Sequence, residues 1–78
     1  MAIIYTKHAR EMLVFRKIGK DKVESCIKNP DDVSAAKEGK EAYLKNFGKN
    51  YLKIIVSKEG PSLVVITLHW LAKRRVKK

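Results

Sequence analysis

The sequence has a single cysteine, Cys26, so no internal disulfide can form and no Cys₄ or Cys₂His₂ zinc site fits within one chain. It has no run of about 18 apolar residues, so no segment reads as a membrane-spanning helix. There is no internal repeat, low-complexity segment or linker. No pair of catalytic carboxylates, glycine-rich phosphate loop or cluster of metal ligands stands out, which argues against an NTPase, a glycosidase or a metalloenzyme. No metal and no cofactor is therefore expected. The opening residues, MAIIYTKHAR, lack a long apolar stretch, so a signal peptide is not expected. The expected setting is the reducing cytoplasm.

Acidic residues are also scarce. Eight Asp and Glu face eighteen Lys and Arg, for a net charge of +10. That balance suits a polyanionic partner. The charge is uneven. Residues 1–29 carry a net +4, residues 30–60 a net +1, and residues 61–78 a net +5 from Lys73, Arg74, Arg75, Lys77 and Lys78. The sequence thus divides into one domain over residues 1–72 and a basic C-terminal tail over 73–78. Membrane-surface binding by the tail is disfavoured, because its only bulky apolar neighbours are Leu71 and Val76.

Seventy-eight residues make one small domain with a thin margin of stability. Ala2–Tyr5 is a short apolar run that fits a first strand. Thr6 is a suitable N-cap for a helix over about 7–17. Ala9, Met12 and Leu13 form its buried stripe, widened by Val14, Phe15 and Ile18, and Gly19 is the expected left-handed C-terminal residue. Asp21 and Glu24 form a capping-box-like start for a second helix burying Val23, Cys26 and Ile27, which Asn29-Pro30 ends. The period then changes to two. Strands are expected at about 32–37, 41–47, 51–58 and 62–70, separated by short glycine-containing turns. The fold class is α+β, with two N-terminal helices packed on one face of a small antiparallel β-sheet.

Alternation assigns the faces. Val64, Ile66, Leu68 and Trp70 are the expected core row of the last strand, Leu52, Ile54 and Val56 that of the strand before it, and Ala42 and Leu44 that of the next. The helix-free face then carries Tyr43, Lys45, Tyr51, Lys53, Thr67 and His69. Aromatic and cationic groups interleave there, as a single-stranded nucleic acid site requires.

Tyr5-Thr6-Lys7-His8-Ala9-Arg10-Glu11-Met12, the Asn29-Pro30-Asp31 stop and Val64-Val65-Ile66-Thr67 resemble small domains of the RelE/ParE toxin superfamily, including a related uncharacterised group with the same His-Ala opening. The resemblance runs over about residues 4–70. It implies an RNA-directed toxin-like protein, an endoribonuclease acting on RNA, including ribosome-bound messenger RNA, and silenced by an acidic antitoxin protein. The alternative is a non-catalytic module of the same fold that contacts RNA, DNA gyrase or a protein partner. One departure bears on activity: no arginine lies between Arg16 and Arg74, so a strand-borne catalytic arginine is missing.

The candidate catalytic residues are His69, Lys53, Lys45 and His8. Attack of a 2′-hydroxyl on its own phosphate needs a base, an acid and a cationic clamp. Histidine is the side chain suited to proton transfer near neutral pH, and lysine serves as the clamp. His8 either takes part in this chemistry or hydrogen-bonds to a neighbouring strand. Arg10, Tyr43, Tyr51, Lys73, Arg74 and Arg75 are the candidate RNA-binding residues. Arg16 either binds phosphate or belongs to the solvated helix face, the second being favoured; Trp70 is read as core, and Cys26 as a small buried hydrophobe.

Overall fold

A computed structural model describes residues 2–72. Ala2–Tyr5 forms β1, Lys7–Phe15 forms α1, Lys20–Lys28 forms α2 and Asp32–Ala35 forms β2. After one 3₁₀ turn at Lys37–Gly39 come β3 at Glu41–Asn46, β4 at Asn50–Glu59 and β5 at Ser62–Ala72. The tail over 73–78, with Lys73, Arg74 and Arg75, lies outside the described residues.

The five strands make one sheet in the order β1-β5-β4-β3-β2. The expected α+β class holds, with both helices packed against the sheet. The sheet is mixed, however: β1 pairs parallel to β5, and the other three pairs are antiparallel. The β4–β5 hairpin turns through Gly60-Pro61, with Glu59 opposite Ser62 and Gly60 at φ 59°. A two-residue turn of this kind favours glycine because the backbone enters the left-handed region.

Thr6 caps α1 as expected, its hydroxyl accepting from the Ala9 N–H at 3.0 Å. The end of α1 differs from expectation. Lys17, not Gly19, takes the positive φ of 55°. The Ile18 N–H donates to the Leu13 carbonyl at 2.9 Å and the Lys17 N–H to the Val14 carbonyl at 3.2 Å. This is a Schellman arrangement, closed by burial of Ile18 and Leu13 together. Gly19 instead sits at the N-cap of α2 in an extended conformation, with no side-chain cap. The Asp21–Glu24 capping box is thus not formed. Asp21 lies within the first turn, where its charge complements the helix dipole.

The core joins Ala9, Leu13, Val23, Cys26 and Ile27 of the helices to Leu52, Ile54, Val56, Leu63, Val65 and Leu68 of the sheet. Cys26 is fully buried with its Sγ 3.7 Å from the Leu52 carbonyl, and burial pushes its thiol up to about 11. Phe47 and Trp70 pack edge to face beside this core, with centroids 6.1 Å apart. Val14 and Phe15, expected to widen the buried face of α1, are 80% and 72% exposed.

Two face assignments are corrected. The core row of β4 is as expected. In β3, Tyr43 lies opposite Ile54 and Lys45 opposite Leu52, so both sit on the helix-packed side, while Ala42 and Leu44 lie opposite Ile55 and Lys53. Tyrosine and lysine have apolar bodies with polar tips, and here the bodies cover the core while the tips reach its rim. In β5, the register shifts between Ile55 and Val56: Val56 pairs with Val65 but Ile55 with Thr67, leaving Ile66 as the extra residue of a bulge. Leu63 and Val65 therefore face the helices before the bulge, and Leu68 and Trp70 after it, in place of one uninterrupted row.

Candidate functional site

The bulge determines which β5 side chains meet the outside. If Ile66 were an ordinary member of the ladder, strict alternation from Val65 would turn Thr67 and His69 into the core and Leu68 and Trp70 out of it. Because the bulge skips Ile66, Thr67 and His69 stand on the helix-free face. His69 is paired directly with Lys53 of β4, and Thr67 with Ile55. Paired residues share a face with Cβ atoms about 4.5–5.5 Å apart, so Lys53 and His69 are immediate neighbours.

Helix α1 completes the site from the side. β1 ends at Tyr5 opposite Val65, and beyond that point α1 packs against β5. The Thr6 N–H donates to the Val65 carbonyl at 3.2 Å, and the Thr6 hydroxyl donates to the carbonyl of the bulged Ile66 at 3.1 Å. Two residues on, His8 Nε2 lies 3.1 Å from Thr67 Oγ1. At the far end of α1, the positive charge of Arg16 is felt at His69. The structure thus places His8, Thr67, His69 and Lys53 along one stretch of β5 and its flank, with the charge of Arg16 bearing on His69.

The electrostatics are one-sided. Burial holds the His69 imidazole below its ordinary range, and the charges of Lys53 and Arg16 add to the effect. Neither ion pair among the described residues, Lys40–Glu38 or Lys58–Glu41, involves Lys53 or Arg16. The result is a neutral imidazole flanked by two cations, an arrangement that favours an anion between them.

Of the residues singled out from the sequence, His69, Lys53 and His8 come together. Tyr51 is half-buried on the same face, opposite Leu71 on β5 and Asn46 on β3. Lys45 and Tyr43 do not join them. The Lys45 Nζ donates to the Asn29 carbonyl at 2.9 Å, capping the C-terminal end of α2, and the Tyr43 hydroxyl reaches Glu41 at 3.5 Å. Arg10 lies exposed on α1 beside Lys7 and Glu11. Arg16 is exposed, as the sequence leads one to expect, and its charge still bears on His69. It supplies from a helix the guanidinium that no strand provides.

Residues 5–70 match the model of a protein family described as a domain of unknown function, DUF4258. The chain belongs to that family. The match spans the DUF4258 domain from the last residue of β1 to Trp70 of β5, so it includes every member of the cluster. No curated protein and no solved structure matches the chain. Among the described residues of this DUF4258 domain, no helix is long and apolar enough to cross a membrane.

Proposed function

We propose that this domain is an RNA-directed, RelE-like endoribonuclease whose reaction centre is His69, Lys53, Arg16 and the His8–Thr67 pair. The observation that carries the reading is the pairing of Lys53 with His69 on the helix-free face, with Arg16 beside them. His69, held neutral near pH 7, takes the proton of a ribose 2′-hydroxyl. The 2′-oxygen attacks the adjacent phosphorus, the bond to the 5′-oxygen of the next nucleotide breaks, and His8 delivers a proton to that leaving oxygen. The products are a 2′,3′-cyclic phosphate and a 5′-hydroxyl. Lys53 and Arg16 stabilise the negative charge that builds on the phosphoryl oxygens. Thr67 holds the His8 ring through its hydroxyl. The net charge of +10 draws in the RNA, and it suits the acidic antitoxin protein that the family resemblance implies.

The test is cleavage of a labelled oligoribonucleotide by the wild-type chain, with the product ends identified. His69→Ala should slow cleavage by about 10²- to 10⁴-fold, the usual worth of a positioned proton-transfer group, with RNA affinity nearly unchanged. Wild-type protein that binds RNA and leaves it uncut, free and on translating ribosomes, would sink the nuclease and leave a binding module of the same fold.

A further inference from the structure

The outward side of α1 has no role in the core or in the reaction centre. Lys7, Arg10, Glu11, Val14 and Phe15 line a depression of about 520 Å³ there. Positions 7, 10, 11 and 14 follow the helical repeat, so this is one continuous face. Val14 and Phe15 are the two most exposed large apolar residues described in the chain. Phe15 also adjoins the reaction centre: the Arg16 guanidinium lies over its ring, 5.4 Å from the centroid.

We propose that Phe15 is a base-stacking subsite for single-stranded RNA, with Arg16 linking it to the cluster at His69 and Lys53, and Lys7 and Arg10 holding the neighbouring phosphate. The inference rests on the RNA reading above and adds a subsite to it. An aromatic ring offers a face that any base can stack on, and cations on either side hold the backbone. The charge pattern selects this occupant. A second copy of the chain would bring another +10 against the same basic rim. An RNA strand crossing from Lys53 and His69 to Arg10 meets a cation at each end and a ring between.

The experiment uses the full chain and an oligouridylate of about 10 nucleotides carrying one 2-aminopurine, a length within the usual range of single-strand sites. Stacking quenches the fluorescence of that base. Phe15→Leu should weaken binding roughly 5- to 100-fold and remove the quenching, because one stacked base is lost. The salt dependence should stay the same, because no phosphate contact is removed. Phe15→Trp should retain both affinity and quenching, and Arg10→Ala should reduce the salt dependence. Phe15 is exposed, so these variants should fold normally. If wild type binds and Phe15→Leu binds equally well, the subsite is overturned while the RNA reading stands. If wild type does not bind at all, both fall. If an acidic amphipathic peptide of Glu and Leu binds this face, and Phe15→Leu changes neither that binding nor the RNA affinity, the depression is a protein-docking groove and the subsite is wrong.

Discussion

Thr6 donates its hydroxyl to the carbonyl of Ile66, 3.1 Å away across 60 positions of chain, while the same oxygen accepts from Ala9. One side chain thus starts α1 and ties it to the bulged residue of β5. Thr6→Val keeps the shape and removes both bonds. An N-cap bond is worth about 0.5–2 kcal/mol, and a domain of this size loses about 4–8 °C in melting temperature per kcal/mol. Thermal melts should show Thr6→Val lower by roughly 5–15 °C and Thr6→Ser close to wild type. A Thr6→Val variant that melts like wild type would mean the bond carries nothing.

Deleting Ile66 tests the bulge itself. The bulge absorbs one residue, so a regular ladder without Ile66 keeps Thr67 and His69 on the helix-free face and Leu68 and Trp70 under the helices. The deletion should therefore retain a cooperative melt and the near-ultraviolet dichroism of Trp70. Ile66→Val keeps the residue count and should retain both as well. A deletion variant without a cooperative melt would show that the bulge does more than absorb one residue.

The His69 environment makes stability depend on pH with a definite sign. Its imidazole is held below its ordinary value, so the unfolded chain binds the proton more readily than the folded one. Stability rises with pH wherever the unfolded state holds more protons. The His69 contribution is therefore complete above about pH 6.5, the ordinary histidine value, and is lost as pH falls through the depressed one. Melting temperatures from pH 7.5 to 5 should fall more steeply for wild type than for His69→Gln. In an NMR titration, Lys53→Met should move the His69 midpoint upward without restoring the ordinary value, because burial is the larger cause. A midpoint unmoved by that substitution would remove Lys53 from the site.

Lys45 and Lys53 separate structure from chemistry. Lys45 holds the Asn29 carbonyl at the end of α2, so Lys45→Ala should lower stability by about 0.5–1 kcal/mol and leave RNA cleavage by the folded protein unchanged. Lys53→Ala should lower cleavage at least 10-fold with little effect on the melt, consistent with loss of a phosphate clamp. Equal cleavage loss in the two variants would put Lys45 back at the reaction centre.

The sequence announced most of the fold and about half of the site, for identifiable reasons. The Thr6 cap, the Asn29-Pro30 stop and the Leu52–Ile54–Val56 row are local patterns, and each is present in the structure. The faces of β3 were not legible from hydropathy, because Tyr43 and Lys45 spend apolar bodies on the core while ranking as polar. The bulge at Ile66 was not legible because Val64-Val65-Ile66 is uniformly apolar and hides a skipped position. His69 was assigned to the correct face although the row before the bulge was reversed, because counting back from Trp70 as a core residue gives the right parity for that end of the strand. The bearing of Arg16 on His69 was not legible, because the two are 53 positions apart and no spacing rule spans that distance.

The parallel pairing of β1 with β5 affects how the molecule is made. Among the described residues, Ala2–Tyr5 has no hydrogen-bonded strand neighbour other than Ser62–Val65, so the first strand finds that partner 60 residues later. At about 5–20 residues per second of synthesis, the leading segment waits about 3–12 s before it can join a sheet. During that interval Ile3, Tyr5 and the inner stripe of α1 have no β5 to cover them. Contacts this far apart along a chain slow folding, since a long loop must close first. Each newly made molecule thus passes through a period in which His8 is present while Thr67 and His69 are not, and the cluster that joins them forms only when the last strand arrives.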